Sequence, residues 1–149
     1  MRLMLAPLFI ALASPVLADG IVIDDAYGRV ARPGAPTGAV FMTIQNDTQQ
    51  DDRLIGVESP IAKRVELHTH IEEDGIMKMR KVEAGFLVMS GGTRELARGG
   101  DHVMLMGLGE NLTTGDSFPL TLIFEDAGEL TITVTVDTER GQVGNTQSD

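Results

Sequence analysis

Residues 120–137 read LTLIFEDAGELTITVTVD, and this stretch decides the fold class. Thr131, Thr133 and Thr135 share one face of an extended chain while Ile132, Val134 and Val136 take the other, the two-residue period of a half-buried strand. Asp126, Ala127 and Gly128 interrupt the alternation with turn-forming residues, so the two runs fold back as an antiparallel hairpin. Working outward, the same pattern predicts strands near 21–30, 39–46, 53–58, 63–69, 76–82, 102–108, 117–125 and 129–137. No segment keeps a 3.6-residue period for three turns. Short strands separated by Gly, Pro, Asn and Asp imply an all-β chain folded as a Greek-key β-sandwich, and no internal repeat competes with that reading.

Composition narrows the chemistry. With 149 residues and 42% hydrophobic content, the chain has the size and apolar supply of one ordinary domain. Lys and Arg number 12 against 22 Asp and Glu, a formal charge of −10 with no basic patch, which argues against nucleic acid and anionic membranes as partners. Cys is absent, which excludes disulfides, thiolate zinc sites, iron–sulfur clusters and blue-copper centres. Trp is absent and Tyr occurs once, so aromatic stacking platforms are excluded as well.

Residues 1–18, MRLMLAPLFIALASPVLA, carry one charge and an apolar run broken by Pro7 and Pro15, too short for a span of ~20 apolar residues. They read as a secretory signal peptide cleaved after Ala18, with the bacterial periplasm as destination. Residues 19–137 then form the folded domain, and 138–149, TERGQVGNTQSD, are expected to be a disordered tail.

Two segments carry possible chemistry. The first, 65–82, is a pair of strand-like runs around the acidic turn Glu72–Gly75. A four-residue loop there would set Ile71 against Ile76, Val65 against Val82, Glu66 against Lys81 and His68 against Met79. A two-residue Asp74-Gly75 turn would instead oppose Glu66 to Glu83, a like-charge pair, so the first register is expected. It places His68, His70, Met77 and Met79 on one face, with Val65, Leu67 and Ile71 on the other. In the second segment, 102–108, alternation sends His102, Met104 and Met106 to one side and Val103 and Leu105 to the other. All three His and four of the eight Met thus lie on single faces of two strand elements, opposite in parity to the aliphatic residues. Neutral imidazoles and thioethers form a soft donor set suited to copper(I) rather than zinc, calcium or magnesium.

At these positions the sequence resembles the periplasmic copper chaperones of the PCuAC type, whose signature is His-x10-Met-x21-His-x-Met. Ten residues separate His68 from Met79 and His102-Val103-Met104 closes the motif, while 22 residues rather than 21 separate Met79 from His102. The extra residue is assigned to the loop around Ser90-Gly91-Gly92 or Arg98-Gly99-Gly100. The likeness extends through GAVFMTIQN, VELH, IMKMR, HVMLMGL and GDSFPLTLIFEDAGELTITVTV. It implies a cupredoxin-like or immunoglobulin-like sandwich, one copper(I) held by His68, Met79, His102 and Met104, and no enzymatic activity. It further implies delivery of copper to the CuA centre of a cytochrome c oxidase subunit or to another copper-delivery protein, by a monomer. A competing enzyme reading joins His68, His70 and His102 with Glu72 or Glu73 as a cupin-like iron or manganese site, although both Glu fall in the expected turn. The acidic surface leads to the expectation of an acceptor face rich in Lys and Arg.

Overall fold

The computed structural model describes residues 20–140 and the backbone of Val16–Ala18. Residues 1–15 and 141–149, most of the expected signal peptide and tail, lie outside the described residues. Every element among the described residues is a strand: β1 (Val16–Ala18), β2 (Ile21–Val30), β3 (Thr37–Asn46), β4 (Asp52–Glu58), β5 (Ala62–Glu73), β6 (Ile76–Lys81), β7 (Phe86–Val88), β8 (Thr93–Leu96), β9 (His102–Leu108), β10 (Ser117–Phe124) and β11 (Gly128–Val136). No helix among them is long and apolar enough to cross a membrane. The chain is the expected all-β sandwich.

Hydrogen bonding orders the strands β6-β5-β9-β3-β2-β11-β10-β4-β7, with β1 added to β2 and β8 to β3. The parallel β2–β11 pairing joins two antiparallel halves. Val40, Met42, Ile44, Leu67, Val103 and Leu105 from one half pack with Leu54, Leu120, Leu122, Phe124, Ile132 and Val134 from the other in a single core. Each fully buried aliphatic or aromatic side chain there contributes about 1.5–3 kcal/mol of transfer free energy. Period two then dictates the outer face: burying Val40, Val103 and Leu67 turns Ala39, Phe41, His102, Met104 and His68 away from the core.

The β5–β6 register differs from the expectation. Glu73 pairs with Ile76, His70 with Met79 and His68 with Lys81, so Asp74 and Gly75 form a two-residue turn. Both have positive φ, 52° and 76°, the left-handed pair of a type I′ hairpin turn whose twist matches its strands. The like-charge objection fails because pairing ends at His68 and Lys81, before Glu66 meets Glu83. Lys81 Nζ lies 3.6 Å from Glu66 and 3.4 Å from Glu83 and neutralises both. A shift of two positions preserves side-chain parity, so the His and Met face survives the correction.

The tail boundary also moves. Arg140, expected to be disordered, is ion-paired to Asp25, stacks its guanidinium 4.4 Å over the Tyr27 ring and accepts a 2.7 Å hydrogen bond on its carbonyl from Arg29. Asp25 sits at φ 58° within a bulge of β2 between Asp24 and Tyr27, so the arginine braces a backbone site that a non-glycine residue adopts at a cost. Replacing Arg140 by Ala is expected to lower stability by about 1 kcal/mol, the sum of a cation–π contact and an exposed ion pair. Deleting residues 141–149 should leave the urea midpoint unchanged; an unchanged midpoint in Arg140→Ala would show the brace to be idle.

Candidate metal centre

Strand β5 is longer than either neighbour. Its first half pairs with β9 and its second half with β6, and His68 is the position where both ladders meet. One cross-sheet row therefore reads Lys81, His68, His102. On the same face, the next row toward the hairpin tip pairs His70 with Met79, and the next row in the other direction pairs Glu66 with Met104. Opposed residues in neighbouring strands share a face, so His68, His70, Met79, His102 and Met104 are gathered at one end of the sheet. The four residues of the expected copper set are brought to one region, and the register places His70, not His68, directly across from Met79.

Hydrogen bonds settle which imidazole nitrogen each ring offers. Glu66 Oε2 lies 2.8 Å from His68 Nε2, and Lys81 and Arg64 flank the same carboxyl group at 3.6 and 3.3 Å. The hydrogen bond to His68, with the two nearby cations, holds the Glu66 carboxyl below the usual carboxylate range. An ionised carboxylate only accepts, so Nε2 of His68 bears a proton, and in the neutral ring Nδ1 bears the lone pair. That Nδ1 is buried and has no hydrogen-bond partner, an arrangement that costs stability unless a ligand uses the lone pair. His102 is oriented the other way. Its Nδ1–H donates to Gly100 O at 3.0 Å, leaving the Nε2 lone pair free. The carbonyl is presented by the 97–100 turn, closed by the Gly100 N–H to Ala97 O bond and by Gly99 at φ 80°.

Both rings are thus locked by a neighbour on one nitrogen and unfilled on the other, the arrangement expected of imidazoles that meet a soft cation. Their centroids are 5.9 Å apart. His102 is only 2% exposed although it points away from the core, because Phe41 packs against its ring at 6.2 Å and His70 covers it at 5.2 Å. Met79 and Met104 line an open cleft of about 430 Å³ together with His70 and His102, over a floor of Gly38, Ala39 and Phe41. The short side chain of Ala39, paired with Met104, is what leaves room there. His68 lies beside this cleft and does not line it.

The remaining methionines separate. Arg64 Nη2 approaches Met106 Sδ at 3.5 Å, occupying that sulfur, and Met77 stands exposed opposite Glu72 near the hairpin tip. Glu73 is bound by Lys78 at 3.0 Å and Arg80 at 2.9 Å, and among the described residues no three His, Asp or Glu side chains converge as a metal-holding group. Glu72 pairs with Met77 near the hairpin tip, and neither Glu72 nor Glu73, the carboxylates of the iron or manganese reading, is among the described residues lining the cleft. The charged residues lining the cleft are Arg29 and Arg98. Glu66, the Gly100 carbonyl and the Ala39 floor escaped sequence reasoning; only Glu66 left a signal, being two residues before His68 and hence on its face.

Residues 21–136 match the family described as "Putative lipoprotein LpqE-like". A lipoprotein-named relative from Leifsonia xyli subsp. xyli is 32% identical over 119 residues, covering 80% of this chain and 70% of that protein. The copper-bound PCuAC domain from PmoF2 superposes with a TM-score of 0.69 at 26% identity, covering 84% of this chain and 98% of that domain. The solution structure of CuI-DR1885 from Deinococcus radiodurans gives 0.65 at 29% identity, covering 87% and 84%.

Burial pushes the His102 imidazole below its ordinary value of 6.5; His70 and His68 add to the lowering, and the Gly100 bond and Asp101 oppose it. The unfolded chain takes up this proton first as pH falls, so the stability due to neutral His102 is complete above 6.5 and is lost through the window below it. The melting temperature of the metal-free protein should fall from pH 7.5 to 5 more steeply than that of His102→Gln. Parallel curves would contradict this.

Proposed function

We propose that this chain, which belongs to the LpqE-like family of PCuAC domains, is an exported copper carrier that binds one copper(I) through His68, Met79, His102 and Met104. The observation that carries the proposal is the pair of oppositely locked imidazoles, each with one unfilled lone pair, beside two thioethers, with no carboxylate among the described residues that line the cleft. Neutral nitrogen and sulfur donors suit copper(I), and the thioethers need no deprotonation, so only the imidazoles compete with protons for the ion. Zinc, which favours thiolate or carboxylate with imidazole, gains less from the same set.

A carrier must also let go. Met79 is 43% exposed on the edge strand β6, so the ion would sit near the rim of the sandwich and within reach of an incoming ligand. Thiolates of an acceptor bind copper(I) more strongly than thioethers, and transfer then runs downhill by stepwise ligand replacement. The CuA centre of cytochrome c oxidase is the acceptor that family membership favours. The export reading of residues 1–18 places the exchange in the periplasm, and the protein acts there as a monomer without chemical turnover.

Anaerobic competition between copper(I) and zinc should give one tightly bound copper(I) per chain and much weaker zinc. Replacing Met79 and Met104 together by Leu is expected to cost less than about 1.5 kcal/mol of stability each, since the volumes match. Copper(I) affinity should meanwhile fall by more than about a hundredfold, exceeding the effect of disturbing a mere supporting contact. Wild-type affinity in the double variant would overturn the ligand assignment.

A further inference from the structure

His70 is the soft donor that the expected ligand set leaves unused. Its Nδ1–H points at the same Gly100 carbonyl that orients His102, at 3.4 Å, which turns its Nε2 lone pair outward as well. Its ring lies 5.2 Å from that of His102, it pairs directly with Met79 across the hairpin, and it lines the cleft with Met79, His102 and Met104. His68 also neighbours His102, but it pairs with Lys81 rather than Met79, its Nε2 is held by Glu66, its free Nδ1 is buried, and it lies outside the cleft lining. Exposure falls from Met79 at 43% through its partner, the half-buried His70, to His102 at 2%.

A copper ion arriving from solvent therefore meets Met79 and His70 before it reaches a geometry that His68 can complete. We infer that His70 is a transfer ligand: it binds copper(I) with Met79 and His102 at the cleft during entry and exit, and gives way to His68 in the resting complex. This rests on the carrier reading above and adds to it a second coordination set, sharing His102 and Met79. The exchange replaces one neutral imidazole by another, so neither charge nor oxidation state changes. Without such a donor, the bond to the half-buried His68 must be lost or made without a neighbouring imidazole to replace it. With it, each lost bond is replaced at once.

A group that acts only along the path alters forward and reverse rates by the same factor and leaves the equilibrium constant alone. The test compares wild type, His70→Gln and His68→Gln, loaded anaerobically with copper(I), using stopped-flow transfer to and from bathocuproine disulfonate. His70→Gln should slow capture and release alike by roughly tenfold while affinity stays within about threefold, below the loss typical of a disturbed metal contact. His68→Gln should lose affinity by more than about a hundredfold. Unchanged rates in His70→Gln would make His70 a bystander, and a large affinity loss would make it a resident ligand; either overturns the inference while sparing the carrier. A wild-type chain that takes up no copper(I) at all would instead overturn the carrier reading, and the inference with it. Matching melting temperatures for metal-free His70→Gln and wild type exclude a folding effect.

Discussion

The site depends on one constraint: the position of His68 between two ladders, bonded toward β9 on one side and toward β6 on the other. That double pairing sets His102 beside His68 in a single row and fixes which residues occupy the rows above and below. Because opposed residues share a face, the row geometry alone brings donors from three strands together without any loop having to carry a ligand. Sites on strands hold their geometry more closely than sites on loops. The core supports this from beneath, since burying Leu67, Val103 and Val40 is what commits their neighbours to the outer face.

Electrostatics then refine what packing places. Glu66 is surrounded by Arg64, Lys81 and His68, so its charge is spent within the sheet and does not reach the cleft. Its effect is to hold one proton on His68 Nε2. The Gly100 carbonyl does the same for His102 Nδ1. These two contacts convert generic imidazoles into donors of defined direction, and the one formal charge among them, on Glu66, is countered by Arg64 and Lys81 rather than offered to a metal.

Much of this was legible in the sequence, and the exceptions have physical causes. The bounds of β2 and β9 follow from alternation over most of their length, interrupted in β2 by the bulge between Asp24 and Tyr27, and the 120–137 hairpin follows from the same rule. Strands β7 and β8 were missed because three and four residues are too few to display a period, although Phe86, Val88 and Leu96 are fully in the core. Charge matching points to the wrong β5–β6 register because the left-handed Asp74-Gly75 pair decides the turn and the ladder ends before Glu66. The face of the candidate ligands was nevertheless right, since parity is insensitive to a two-residue slip. Which imidazole faces the cleft was not legible, because it depends on where β9 begins relative to the hairpin, a tertiary property.

The central claim is a mixed nitrogen and sulfur site for copper(I). X-ray absorption at the copper edge of the anaerobically loaded wild-type protein tests it most directly, because it counts sulfur and nitrogen neighbours without reference to function. A copper(I) edge with two sulfur and two imidazole nitrogen neighbours, at one copper per chain, is expected. A first shell of nitrogen and oxygen with no sulfur would contradict it.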